Sequence, residues 1–175
     1  LETNIDAVED VITYASDSGK TVILNPAPVQ QIPDEIYKHI DVFTPNEVEA
    51  GILAGMRVEN RQDAEKAAAY FIKKGVKNVV ITMGEQGVFL KTPAGSLFIE
   101  SYSVDAVDTT GAGDAFNGGL AAALANDMSL EDAVHYANAV AALSVTKMGT
   151  APAMPYADEV LKFINSNEKR KVSVC

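Results

Sequence analysis

The residues best able to do chemistry form one string, Asp108-Thr109-Thr110-Gly111-Ala112-Gly113-Asp114-Ala115-Phe116-Asn117-Gly118-Gly119. It follows a short apolar run and opens a long Ala-rich helical pattern. A small, glycine-rich turn at a helix start leaves several backbone N–H groups unpaired and pointing one way, which makes an anion site. Gly111, Ala112 and Gly113 would let a phosphate approach the backbone with little or no Cβ in its way. Asp114 stands in the middle of that site. A carboxylate there would repel an anion, so it makes better sense as a base beside one, accepting a proton from an attacking hydroxyl. The combination points to phosphoryl transfer. The plainer alternative is an ordinary helix start, with Asp114 favoured at the positive end of the helix dipole.

Two further polar clusters stand out. Asn46 and Glu49 are spaced i, i+3, so they share one face of a short helix. A carboxylate near a triphosphate acts mainly through a metal ion or water. The alternative is an N-cap asparagine with a dipole-favoured glutamate. Thr82-Met83-Gly84-Glu85-Gln86-Gly87 follows a strand pattern and reads either as a loop past a nucleotide or as the turn of a hairpin. His39 and His135, the two histidines, are far apart and lack a partner pattern.

The elements that must position these clusters can be read from periodicity. Residues 4–18 are spaced as a helix capped by Asn4 or Thr3 and stopped by Gly19. Thr21–Leu24 and Val42–Thr44 are short strands ended by Pro26, Pro28 and Pro45. Asn46–Leu53 and Asp63–Lys74 read as helices closed by Gly55 and Gly75. Val79–Thr82 is a buried type of strand, and Gly87–Lys91 with Leu97–Glu100 alternate as a hairpin. Ala112–Ala125, Leu130–Thr146 and Tyr156–Ile164 complete the helices, and Glu168–Lys171 is a charged end. Strand–helix alternation implies an α/β fold whose parallel sheet is covered on both faces. Ligands in such sheets bind beyond the carboxyl ends of strands. Asn25, Asn46 to Glu49, Thr82 to Gly87 and Asp108 to Asp114 are all expected to follow strands, so one edge is expected to carry all four.

With 175 residues, 47% of them hydrophobic and 22% charged, the chain can build one sizeable core. Its net charge of −10 disfavours a nucleic-acid partner bound through its backbone. The one cysteine, Cys175, permits neither a disulfide within the chain nor a cysteine metal site, which suits a cytoplasmic setting. No apolar run approaches the roughly 18 residues of a membrane span. The chain begins at Leu1 rather than Met, and a fragment is expected.

The Asp108–Gly119 string resembles the second signature of the ribokinase-like (PfkB) carbohydrate and nucleoside kinases. The resemblance runs over nearly the whole chain, through Asn25-Pro26-Ala27-Pro28, Thr44-Pro45-Asn46-Glu47-Val48-Glu49 and Thr82–Gly87. It implies a three-layer αβα, Rossmann-like sheet, with residues 1–165 as the nucleotide-binding and catalytic part and 166–175 as a charged tail. It implies an ATP-dependent kinase acting on a primary hydroxyl of a sugar, D-ribose before others. Fructose, a sugar phosphate or a nucleoside is the alternative, as is an inactive nucleotide-binding fragment.

By the same resemblance, Asp114 is the base and meets the sugar, and Gly111, Ala112 and Gly113 form the anion hole. Asn46, Thr82, Gly84, Glu85, Gln86, Gly87, Gly113 and Asn138 serve the nucleotide, and Glu49 serves magnesium indirectly. Glu2 contacts the sugar. Asp108, Thr110, Ser144, Lys147, Gly149 and Ala153 surround a potassium ion, mostly through carbonyl oxygens. Members of the family carry roughly another domain's-worth of chain before this point. That part holds a Gly-Gly-Lys-Gly-x-Asn signature, most sugar contacts and a β lid that often forms a homodimer. Neither Gly-Gly-Lys nor Gly-Lys-Gly occurs among these residues. The N-terminal part and lid are therefore expected to be absent.

Overall fold

The structure, a computed structural model, describes Leu1 and residues 3–172. Glu2, the expected sugar contact, and Cys175 lie outside the described residues. The chain divides into two compact units, Leu1–Glu100 and Ser101–Cys175.

The first unit is a five-stranded mixed sheet with its helices. Strands β1 (Ile23–Leu24), β2 (Val42–Phe43), β3 (Asn78–Thr82), β4 (Gly87–Thr92) and β5 (Gly95–Glu100) lie side by side in chain order. β1, β2 and β3 are parallel, and β4 and β5 return antiparallel as a hairpin. Helix α1 (Ile5–Asp17) starts where Asn4 Oδ1 accepts the Asp6 N–H at 2.8 Å. Helices α2 (Glu47–Ala54) and α3 (Arg61–Lys74) both end on glycines in the left-handed region, Gly55 and Gly75. The alanine face of α3, Ala64, Ala67 and Ala68, is fully buried because small side chains let the helix sit close to its neighbours. Phe71 from α3 meets Phe43 from β2 with ring centroids 4.9 Å apart. Phe43, Val79, Ile81 and Phe89 enter this core. Val42, Val80, Val88 and Leu90, at the alternating positions, are also buried, so both sheet faces are out of water.

The second unit contains α4 (Ala112–Ala125), α5 (Leu130–Ser144) and α6 (Ala157–Val172). Gly119 lets α4 and α5 touch: a Cβ there would stand 2.9 Å from Val140 Cγ2. Ala115, Ala139, Val140 and Val160 form the local core. No helix among the described residues is long and apolar enough to cross a membrane.

Two expectations need correction, and one element had no counterpart among them. Residues 101–111 hold no strand, although the run before Asp108 is partly apolar. Its backbone pairs elsewhere, since the N–H groups of Val107 and Asp108 both donate to Val145 O, at 2.7 and 3.2 Å. The last helix does not stop at Ile164 but continues to Val172. No glycine or proline follows Ile164 to stop the helix, and Glu168 to Lys171 are good helix formers. Asp34–His39, given no structure from sequence, forms a 3-10 turn that buries Ile36 and Tyr37.

Candidate functional site

Three of the four polar clusters sit together at the carboxyl ends of the parallel strands in the first unit. Asn25 follows β1 directly, and its Nδ2 donates to Thr44 O at 2.7 Å. Thr44 N–H donates to Leu24 O at 2.9 Å. On the other side the Thr82 N–H donates to Pro45 O at 3.1 Å, and Asn46 bridges to Thr82 in parallel register. The edge runs Asn25, Thr44 to Asn46, then Thr82, as the strand order requires.

Asn46 is the N-cap of α2. Its Oδ1 accepts the Glu49 N–H at 2.8 Å, and Glu49 Oε2 accepts the Asn46 N–H at 2.8 Å. This reciprocal capping box is the plainer reading of the i, i+3 pair, and the structure contains it. It uses one oxygen of each side chain. Asn46 Nδ2 and Glu49 Oε1 are the atoms left over for a ligand, and both residues are half-buried at the strand edge. Gly84–Gln86 is a 3-10 turn joining β3 to β4. Gly84 and Gly87 have φ of 53° and 122°, which explains the need for glycine at both positions. Glu85 is exposed, while Gln86 Nε2 donates to Glu59 O at 3.2 Å. Thus the segment is both a hairpin turn and a loop with exposed backbone.

The fourth cluster belongs to the second unit. Gly111 is the N-cap of α4, with φ of 76° and ψ of 9°. The Ala112 N–H donates back to Thr109 O at 3.2 Å and the Ala115 N–H to Gly111 O at 2.9 Å, which leaves the amides of Gly113 and Asp114 as the first-turn donors at the helix end. Asp114 is exposed and follows in the first turn. Its Oδ2 would be 3.9 Å from a Cβ on Gly111, so the carboxylate stands beside the turn. Gly113 has nothing within 4 Å of where its Cβ would be, so the approach to this backbone is open. Thr150, which no local pattern singles out, packs its methyl group over Gly111, 3.1 Å from where a Cβ on that glycine would stand. Asn138 on α5 is buried at 5% exposure.

Asp108 joins two segments. Its Oδ1 accepts the Thr110 N–H and its Oδ2 the Gly149 N–H, each at 3.0 Å. These bonds, with that of the Thr110 hydroxyl, hold the carboxyl below the usual aspartate value, Thr110 contributing most. Ser144 Oγ donates to Ala141 O at 2.8 Å, and Lys147 Nζ pairs with Glu159 at 3.4 Å. The side chains of Asp108, Ser144 and Lys147 are therefore engaged within the protein. Carbonyl oxygens are what this segment offers a monovalent cation. Among the described residues no three His, Cys, Asp or Glu side chains cluster as a metal cage. Magnesium fits this donor set as an ion carried largely by phosphates and water.

The model of the pfkB family of carbohydrate kinases matches residues 1–157, and the chain belongs to that family. It is 44% identical over 164 residues to a ribokinase of Haemophilus influenzae, covering 94% of this chain and 54% of that protein. The solved structure of Arabidopsis thaliana ribokinase complexed with ribose and ATP superposes with a TM-score of 0.87 at 32% identity, covering 91% of this chain and 52% of that one. An E. coli structure described as a ribokinase II with ATP and Mg2+ gives a TM-score of 0.78 at 29% identity, covering 93% and 54%. The chain thus spans about half the length of the relatives it matches.

Proposed function

We propose that this chain is the nucleotide-side, catalytic-base portion of an ATP-dependent sugar kinase, with D-ribose as the sugar and ribose 5-phosphate as the product. The observation that carries the reading is the start of α4, where an open amide turn at Gly111–Gly113 adjoins the exposed Asp114 carboxylate. Developing charge on a transferring phosphoryl group is stabilised by such amides without reorganisation. Asp114 accepts the proton of the attacking primary hydroxyl as its oxygen bonds to phosphorus and the bond to ADP breaks. Asn46, Thr82, Gly84, Glu85, Gln86, Gly87 and Asn138 serve the nucleotide. Glu49 would face magnesium through water, because direct contact of its carboxylate with a triphosphate would be repulsive; Oε1 is the oxygen the capping box leaves for this. Magnesium, when bound, neutralises the phosphates. Carbonyl oxygens around Asp108, Thr110, Ser144, Lys147, Gly149 and Ala153 would hold potassium, whose charge would stiffen the anion turn.

Support for the sugar comes from the relatives, which include ribokinases and one ribokinase structure holding ribose and ATP. A homodimer and a cytoplasmic setting belong to the same reading. Two measurements test it. Titration of MgATP into the chain should give saturable binding that Mg2+ removal weakens. In the whole protein that carries these residues, Asp114→Asn should remove most ribose phosphorylation while MgATP binding stays near normal. Turnover close to the unaltered enzyme would refute the role of Asp114.

A further inference from the structure

The bond made by Asn25 has a reason that the register of the sheet supplies. β1 and β2 pair in parallel with Ile23 opposite Val42 and Leu24 opposite Phe43. In such a ladder bonds alternate evenly between the two strands. The Val42 N–H donates to Val22 O at 3.1 Å, and the Thr44 N–H donates to Leu24 O at 2.9 Å. The next bond in the series would run from the N–H of residue 26 to Thr44 O. Residue 26 is Pro26, which has no N–H. Asn25 Nδ2 makes that bond instead, at 2.7 Å.

This replacement bond matters because the residue after Thr44 is Pro45. It also lacks an N–H, so the corner from Thr44 to Asn46 has few backbone bonds to fix it. The corner is held from the β3 side by Thr82 N–H on Pro45 O, at 3.1 Å. From the β1 side it is held by Asn25 on Thr44 O and by the hydroxyl of Thr44, which donates to Leu24 O at 3.3 Å. Asn46, at the end of this corner, sets the capping box and so the direction of its Nδ2 and of Glu49 Oε1.

We propose that Asn25 is a positioning residue: its side-chain amide replaces the ladder donor that Pro26 lacks and fixes the Thr44–Asn46 corner, so that the Asn46–Glu49 pair is presented to the nucleotide. The last step rests on the proposed nucleotide role of Asn46 and Glu49; the clamp itself does not. Asn25→Asp is nearly isosteric and removes the donor. Asn25→Ala is the second variant should the acid disturb folding.

Amide hydrogen exchange on the 175-residue chain reads the clamp without any ligand. Exchange at the Glu49 and Thr82 amides should quicken about tenfold in either variant, while that at Phe71 in α3 stays unchanged. Unchanged exchange at Glu49 and Thr82, or an equal rise at Phe71, would overturn the clamp. MgATP titration reads the functional step. Both variants should weaken MgATP about fivefold or more, and Asn25→Asp should add little on top of Asn46→Ala, because the two act through one corner. A full additional loss in the double variant, or normal affinity in Asn25→Asp, would overturn positioning. Equal affinity in the unaltered chain and Asn46→Ala would sink the nucleotide reading of Asn46, and the presentation step with it, while exchange still decides the clamp.

Discussion

Replacing Gly111 or Gly113 by alanine should move stability in opposite directions, although the two stand in one turn. Gly111 has φ of 76°, and a Cβ there would meet Thr150 Cγ2 at 3.1 Å. An L-residue in the left-handed region costs about 1–2 kcal/mol, and Thr150 must also give way by a few tenths of an ångström. A unit the size of Ser101–Cys175 loses roughly 4–8 °C of Tm per kcal/mol. Gly111→Ala should therefore lower its Tm by on the order of 10 °C. Gly113 is helical with open space around its Cβ direction, so alanine reduces the entropy lost on folding. A gain of about 0.5 kcal/mol, worth a few degrees, is expected for this first-turn position. Its methyl group would nevertheless stand where a phosphate must approach the amides. Losing one hydrogen bond to a charged group costs about 1.5 kcal/mol or more, which is roughly tenfold in MgATP affinity. Scanning calorimetry and MgATP titration on the two variants decide the matter. A fall in Tm for Gly113→Ala would refute the geometry of the turn. A rise in Tm with unchanged MgATP affinity would refute its use as an anion site.

Adjacent glycines in α4 give a second contrast: Gly119→Ala, whose Cβ would lie 2.9 Å from Val140 Cγ2, should cost about 1–3 kcal/mol of unfolding free energy. Gly118→Ala, with nothing within 4 Å, should instead gain up to about 1 kcal/mol, and urea unfolding monitored by circular dichroism separates the two. The Asp108 carboxyl is held below its ordinary value in the folded state, so its contribution is present above the ordinary aspartate range and is lost as pH falls through the folded value. Asp108→Asn should therefore flatten the acid limb of a Tm-against-pH curve; an unaltered acid limb would show that the Thr110 and Gly149 bonds do not favour the ionised form. Ribose-dependent ADP release by the 175-residue chain alone should be near background, since it spans about half of its relatives and positioning both substrates is required. Substantial release in a coupled assay would overturn that expectation.

The range of the forces involved decides which features were legible in the residues alone. Helices α1, α3, α4 and α5 were legible because caps and glycine stops are local: Asn4, Gly75 and the small residues before Ala115 act within a turn of their own backbone. The hairpin of β4 and β5 was legible for the same reason, with alternation on either side of a Thr92–Gly95 turn. The end of α6 was not, because no glycine or proline after Ile164 fixes where it stops. Nor was the path of residues 101–111, since the partner of Val107 and Asp108 is Val145, at the far end of two helices. The site divides in the same way. Asn46, Glu49 and the Gly111–Asp114 turn announce themselves by spacing within one helical turn. The contact of Thr150 and the bond of Asn25 do not, although Asn25 stands out as a polar residue after a strand, because each acts across chain distance on a backbone atom or a missing Cβ. Yet Asn25 had a readable cue: an asparagine placed before a proline, at the point where a strand must keep one more bond. A polar side chain beside a proline at a strand end is thus worth testing as a substitute donor before it is treated as a turn residue. The outcome for Asn25→Asp bears on that rule as well as on this corner, because the variant keeps the turn propensity and removes only the donor.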